Sequence, residues 1–318
     1  YNKKFLDRIK LGNFEDDIHK INEVDWIIEV VVEKLDIKKS VFDLVEKHRK
    51  TGTIITSNTS GIPIKLMNEG RSDDFKECFA ITHFFNPPRY LNLFEVVPGP
   101  DCKKGILDFL LDYGEKFLGK TSVLAKDTPA FIGNRIGIFG IMSLFHQIKN
   151  GEYSVEEVDK LTGPAIGRPK SATFRTADIA GLDTMCHVAN GVYEKCKDDE
   201  SREVFKLPDF LQKMLDSNML GSKTGKGFYK KIKDDNGKSK ILALDLNTFK
   251  YNEQKKVSYE TLKNARKCKK RDEKFKTLIS GNDKASEFYK ENFARMFGYI
   301  QNRIPEISND ITSIDAAL

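Results

Sequence analysis

The chain has 318 residues, 31% of them charged and 39% hydrophobic, and a formal net charge of +6. That is enough length for two or three domains with cores of their own, in the composition of an ordinary soluble globular protein. The lysines are dispersed with no basic run interleaved with aromatics, so no nucleic-acid partner is expected, and no apolar run approaches the ~20 residues needed to span a bilayer.

The start, Tyr1-Asn2-Lys3-Lys4, carries neither an initiator Met nor an apolar signal region, so the chain is expected to be part of a longer protein. Residues 25–32 (D-W-I-I-E-V-V-V) are nearly all apolar, which predicts a strand buried on both faces of a parallel sheet, with Glu33 at its carboxyl end. Helical spacing follows over 35–50, then a second strand over 53–57. Strand, helix and strand in about 30 residues make a βαβ unit. Ser57-Asn58-Thr59-Ser60-Gly61 then sits at the carboxyl end of a parallel strand, where open α/β sheets bind ligands. It reads equally well as an ordinary turn in which Ser60 caps a helix carrying Pro63 in its first turn.

Two apolar runs, 79–85 and 91–97, flank Asn86-Pro87-Pro88. Asn opens turns and Pro cannot continue a ladder, so the runs are predicted to be antiparallel neighbours. A turn centred near residue 89 sets His83 opposite Glu95. Opposed side chains lie close enough for a carboxylate to accept an imidazole N–H. Such a pair in apolar surroundings is a general-base arrangement, or a core histidine paired for structural reasons.

A helix over 104–118 and a last strand over 122–125 come next. Asp127-Thr128-Pro129 reads as a helix start, with the helix running to about residue 149 and ending at Asn150-Gly151. Gly133, Gly137 and Gly140 cost that helix stability, so close backbone packing or a ligand is expected against it. Asn134 is polar on this apolar segment, either facing solvent or aiming its amide at a substrate oxygen. A loop at 163–168 precedes helices at about 179–197 and 203–217. Gly221-Ser222-Lys223-Thr224-Gly225-Lys226-Gly227 fails the spacing of a phosphate loop and reads as a structural turn. Residues 232–240 read as a linker, and the remainder as mostly helical, with an amphipathic stretch over 283–302. Five cysteines, odd in number and without C-x-x-C spacing, argue for a reducing compartment and against a disulfide frame or a metal site.

Taken in order, I-E-V-V-V-E-K-L-D-I-K-K (28–39), S-N-T-S (57–60), H-F-F-N-P (83–87), E-V-V (95–97), D-T-P-A-F-I-G-N-R (127–135), G-P-A-I-G-R-P (163–169), A-D-I-A-G-L-D (177–183) and K-T-G-K-G-F-Y (223–229) resemble the L-3-hydroxyacyl-CoA dehydrogenase family of fatty acid β-oxidation. The resemblance covers residues 1 to about 231. It implies a truncated Rossmann-like, doubly wound α/β domain at 1–127 and an α-helical C-terminal dehydrogenase domain at 128–231. Residues 232–318 would then be a linker and the helical start of a second C-terminal domain, since 303–311 (R-I-P-E-I-S-N-D-I) resembles the beginning of such a copy.

The resemblance also implies NAD as cofactor and an (S)-3-hydroxyacyl-CoA as substrate. His83 takes the 3-hydroxyl proton while hydride leaves C3 for the nicotinamide, Glu95 supports the imidazolium, and Ser57 and Asn134 bond the substrate near its reacting oxygens. Val30, Val31, Glu33, Lys38, Ser57, Asn86 and Lys223 match positions near the cofactor. A cytoplasmic homodimer is implied, in a parent chain that can also carry an enoyl-CoA hydratase module. The family's G-x-G-x-x-G, which holds the pyrophosphate at a helix N-terminus, has no match here and is expected upstream. Two other readings share these residues: a dehydrogenase of a non-CoA 3-hydroxy acid, and a dimerisation or interaction module of a larger β-oxidation complex.

Overall fold

A computed structural model of the chain describes residues 3–148, 151–233 and 237–318. They form two compact units, one of residues 1–133 with 303–318 and one of residues 134–302. This grouping differs from the three consecutive segments expected: residues 232–302 join the helical unit and 303–318 return to the first.

The first unit is built on a five-stranded sheet in the order β1-β2-β3-β4-β5, with β1 Trp26–Glu29, β2 Ile54–Ser57, β3 Phe79–Phe84, β4 Leu93–Pro98 and β5 Thr121–Leu124. Every neighbouring pair is parallel except β3 with β4. The main helices are α1 Leu35–His48, the short α2 Ile64–Met67 and α3 Asp73–Glu77, and α4 Lys104–Lys116.

Alternation along the strands sends side chains to the two faces. On one face Phe42 of α1 meets Phe79 with ring centroids 5.4 Å apart, and Phe75 of α3 stacks on Phe79 at 5.3 Å. On the other, Ala80, Phe94 and Val96 pack with Leu110 of α4. Each fully buried Phe contributes about 1.5–3 kcal/mol. Polar groups inside the sheet are satisfied: Thr82 Oγ1 donates to Thr56 Oγ1 at 2.8 Å, and Trp26 Nε1 donates to the same oxygen at 2.9 Å. Helices on both faces of a mostly parallel sheet make this unit doubly wound, as expected.

The second unit opens with the helix α5 Gly133–Ile148, whose first residue closes the first unit. It continues with α6 Val155–Thr162, α7 Phe174–Ala180, α8 Leu182–Lys195 and α9 Asp209–Asp216. The helices expected over 179–197 and 203–217 are both broken, the first at Gly181 and the second ahead of Pro208. The two ends of the segment expected as a linker, 232–233 and 239–240, lie in strands, and residues 234–236 are outside the described residues: β6 Tyr229–Lys233, β7 Ser239–Leu244 and β8 Tyr251–Glu253 form an antiparallel sheet. Its lysines point outward from exposed strand positions, so a strand composition looked like linker composition. The helices α10 Glu260–Ala265, α11 Arg271–Ser280 and α12 Lys284–Asn302 complete the unit.

The core of this unit holds a charged cluster. Arg135, fully buried, donates through Nη2 to Asp199 Oδ2 at 2.6 Å and through Nε to the Tyr299 hydroxyl at 2.6 Å. The Tyr299 hydroxyl donates in turn to Asp199 Oδ2 at 2.8 Å. The expected end of α5, at residues 149–150, lies outside the described residues.

Candidate active site

The antiparallel register runs Ala80↔Pro98, Ile81↔Val97, Thr82↔Val96, His83↔Glu95 and Phe84↔Phe94. His83 and Glu95 are therefore cross-strand partners at the edge where β1, β2 and β3 end. His83 Nδ1 lies 2.6 Å from Glu95 Oε2, with Glu95 fully buried and His83 5% exposed. Facing a carboxylate oxygen, Nδ1 carries the proton of a neutral ring, and in that form Nε2 keeps a free lone pair. Phe85 and Phe131 wall the imidazole, with ring centroids 4.5 and 5.5 Å away.

The second carboxylate oxygen is also occupied. Glu95 Oε1 accepts the backbone N–H of Ile132 at 2.9 Å and of Gly133 at 2.7 Å. These are donors at the start of α5, which a helix leaves without internal partners. The helix thus begins at Gly133, four residues after the expected start at Pro129. The sheet explains the delay. β5 runs parallel to β4, passes the level of Glu95 at Val123 and moves away from it. The chain has to turn back before a helix can start at Glu95. It does so through Ala130 and Phe131, with φ of 67° and 48°. A side chain at 133 would obstruct the approach: a Cβ there would lie 2.7 Å from Leu93 Cδ2 and 2.8 Å from Phe85 Cζ. Of the other two glycines, Gly140 packs closely, its Cβ position lying 2.6 Å from Met296 Cε, but Gly137 faces open space.

Asp127, expected to cap α5, instead accepts the N–H of Ile64 at 2.8 Å, at the start of α2. It takes the place expected of Ser60, which makes no cap bond there. Burial pushes the Asp127 carboxyl up from its ordinary value.

A second buried cluster closes the carboxyl ends of β1 and β2. Lys38, 1% exposed, donates to both oxygens of Glu29 at 2.9 Å. Ser57, fully buried, donates its hydroxyl to Glu29 Oε2 at 2.6 Å, and the Val31 N–H donates to Oε1 at 2.6 Å. Lys38 also stands 3.4 Å from Glu33, whose side chain is 42% exposed. Glu33 Oε1 accepts from the Thr59 hydroxyl and from the Ser60 N–H. The loop 57–60 is tied to β3 as well, because Asn58 Oδ1 accepts the Phe84 N–H at 2.9 Å. Val30 and Val32 beside it are exposed.

The structure thus gathers His83, Glu95, Ser57, Val30, Val31, Glu33 and Lys38 into one unit, at the strand ends where such sheets bind ligands. Asn86 is exposed in the β3–β4 turn. Asn134 follows Gly133 in the first turn of α5 and opens the second unit. Lys223, also in that unit, pairs with Asp183. The glycine-rich turn around Lys223 is structural: Asp178 accepts the N–H groups of Phe228 and Tyr229 at 2.8 Å each. Sequence reasoning missed Glu29 as the centre of the second cluster. The signal was present, since a lone carboxylate in an apolar strand must be paired when buried. Among the described residues no group of three or more His, Cys, Asp and Glu side chains is arranged to hold a metal ion.

Residues 2–128 match the family model described as 3-hydroxyacyl-CoA dehydrogenase, NAD binding domain, and residues 131–231 the model of that family's C-terminal domain. A probable 3-hydroxyacyl-CoA dehydrogenase of Bacillus subtilis is 50% identical over 307 residues, which is 96% of this chain and 38% of that protein. A putative fatty acid oxidation complex trifunctional enzyme of Rickettsia prowazekii is 29% identical over 98% of this chain and 42% of its own length. The chain therefore spans about two fifths of these curated relatives. The crystal structure of a (S)-3-hydroxybutyryl-CoA dehydrogenase from Ralstonia eutropha superposes with a TM-score of 0.60 at 28% identity, covering 70% of this chain and 75% of that one.

Proposed function

Since the chain belongs to the 3-hydroxyacyl-CoA dehydrogenase family, we propose that the protein carrying it oxidises (S)-3-hydroxyacyl-CoA to the 3-ketoacyl-CoA with NAD, as a step of fatty acid β-oxidation. One observation carries this reading: the buried His83–Glu95 pair, 2.6 Å apart, at the ligand-binding edge of the sheet.

The residues there fit the cofactor. Glu33 offers an accessible carboxylate that can accept from hydroxyl or amide groups, and the exposed Val30 and Val32 offer apolar surface to a ring. A bound NAD would supply the acceptor for the hydride that leaves C3. His83 Nε2, its lone pair kept free by the proton on Nδ1, removes the 3-hydroxyl proton. Glu95 holds the ring in that tautomer and offsets the charge it acquires. Phe85 and Phe131 keep water from the imidazole. Asn134, from the first turn of α5, is assigned a hydrogen bond to the substrate. Ser57 and Lys38 serve through Glu29 and Glu33, which use their polar atoms, and Asn86 and Lys223 complete the assigned cofactor set.

The rest of the reading is a cytoplasmic homodimer, in a longer chain that can carry a hydratase module and the second C-terminal copy beginning near residue 303. Free cysteines suit a reducing compartment. Among the described residues no helix is long and apolar enough to cross a membrane.

The test is oxidation of NADH by the intact protein with acetoacetyl-CoA, beside free acetoacetate. Turnover of the thioester alone supports the reading. Turnover of the free acid alone assigns a non-CoA substrate, and binding of NADH without either turnover leaves the fold assignment but removes a 3-ketoacyl-CoA as the substrate.

A further inference from the structure

The His83–Glu95 pair does not stand alone. Glu95 is held at both oxygens, one by the imidazole and the other by two backbone N–H groups at the start of α5. We propose that Ile132 and Gly133 are positioning residues: their N–H groups hold the Glu95 carboxylate against His83 Nδ1, and when residue 95 is an amide they decide which end of it faces the catalytic imidazole. This deepens the activity proposed above.

Backbone N–H groups only donate, so they demand an oxygen. The N–H of Ile132 is buried and that of Gly133 partly so, and leaving a buried one unpaired costs about 1–3 kcal/mol. In the native chain the demand is met by Oε1, and Oε2 is left to accept from Nδ1. The arrangement has a sharp consequence for Glu95→Gln, which is nearly isosteric. The two N–H groups take the amide oxygen, so the amide NH2 has to face His83. It donates to Nδ1, the ring proton moves to Nε2, and the atom meant to accept the substrate proton becomes a donor. Without the helix end, the amide could flip, present its oxygen to Nδ1 and keep the working tautomer.

Gly133 is what allows the approach, because a Cβ there would meet Leu93 and Phe85 below 3.0 Å. The left-handed conformations of Ala130 and Phe131, which cost about 1–3 kcal/mol each, are the turn that aims the two N–H groups.

The experiment reads the tautomer directly, by nitrogen NMR of the whole protein labelled at histidine, with His83→Gln assigning the signal among the five histidines. The native ring is expected with its proton on Nδ1, and the Glu95→Gln ring with its proton on Nε2. Retention of the Nδ1 proton in Glu95→Gln overturns the proposal. So does a Glu95→Gln protein that fails to fold, since the amide supplies the oxygen the helix end requires. A kinetic arm compares Glu95→Gln with Glu95→Ala, in which the ring is free to choose. Turnover by Glu95→Gln is expected about tenfold or more below that of Glu95→Ala, within the range a general base contributes. Equal or higher turnover by Glu95→Gln counts against the proposal. The kinetic arm depends on the dehydrogenase activity and the NMR arm does not. A native enzyme inactive on acyl-CoA with the expected tautomers would therefore remove the activity and leave the positioning role.

Discussion

Replacing Lys38 by Met leaves the Glu29 carboxylate buried without its cation. The change removes both 2.9 Å bonds from the ammonium and leaves those from Ser57 and the Val31 N–H. Breaking a buried ion pair from one side costs about 3–5 kcal/mol. The two surviving donors hold the carboxylate in place, which puts the expected loss near the lower end, about 3 kcal/mol. For a unit of this size that is a fall in Tm of roughly 6–12 °C. Adding Glu29→Gln removes the stranded charge and should recover at least half of the loss, because a neutral amide costs far less to bury. The assay is urea unfolding followed by tryptophan fluorescence. Trp26 is the sole tryptophan and lies in β1, edge-on to Tyr113 with ring centroids 5.6 Å apart, so its signal reports the unit in question. A single variant within about 0.5 kcal/mol of the native chain would refute the account, as would a double variant no better than the single one.

Other outcomes follow from the same geometry. His83→Gln in the intact protein should lower turnover by ~10²–10⁴ while NADH still binds, and near-native turnover would take His83 out of the mechanism. Arg135→Met strands Asp199 in the core of the second unit and should cost about 3–5 kcal/mol, read by the unfolding midpoint; an unchanged midpoint would show the cluster to be inert. Burial pushes the carboxyls of Asp159 and Asp178 up from 3.8 to about 6. A raised value means the folded state binds the proton more tightly than the unfolded one. The stability from these protons is whole below pH ~4 and is lost as pH rises through about 6. Asp178→Asn should therefore gain on the native chain between pH 4 and pH 7 in urea unfolding, and a gap that stays constant with pH would contradict it.

The sheet was legible because its signals are local. Strand periodicity and a Pro-containing turn were enough to place His83 across from Glu95. The helix starts were misread because their acceptors come from far along the chain. Asp127 looks like a cap for the helix after it, but serves Ile64, 63 residues earlier. Glu95 does the capping at α5, 38 residues before Gly133, and no local pattern announces that. The hairpin of β6 and β7 was hidden for another reason: both strands lie half in solvent, so their lysines resemble those of a linker. Glu29 was visible as an oddity in an apolar run, but its partners, Lys38 and Ser57, sit on a helix and on another strand.

The antiparallel placement of β4 also sets which insertions and deletions this chain can survive. The turn between β3 and β4 lies beyond the ladder and its residues 86–90 are exposed, so a change in its length that keeps the two strands in register leaves the pair in place. Within the strands the rule reverses. One residue added between Ala80 and His83 turns the imidazole to the opposite face of the sheet, toward Phe94 and Leu110, and leaves Glu95 Oε2 without its donor. Length variation in descendants of this chain should therefore collect in the turn and stop abruptly at the ladder, even where substitutions inside the ladder are conservative.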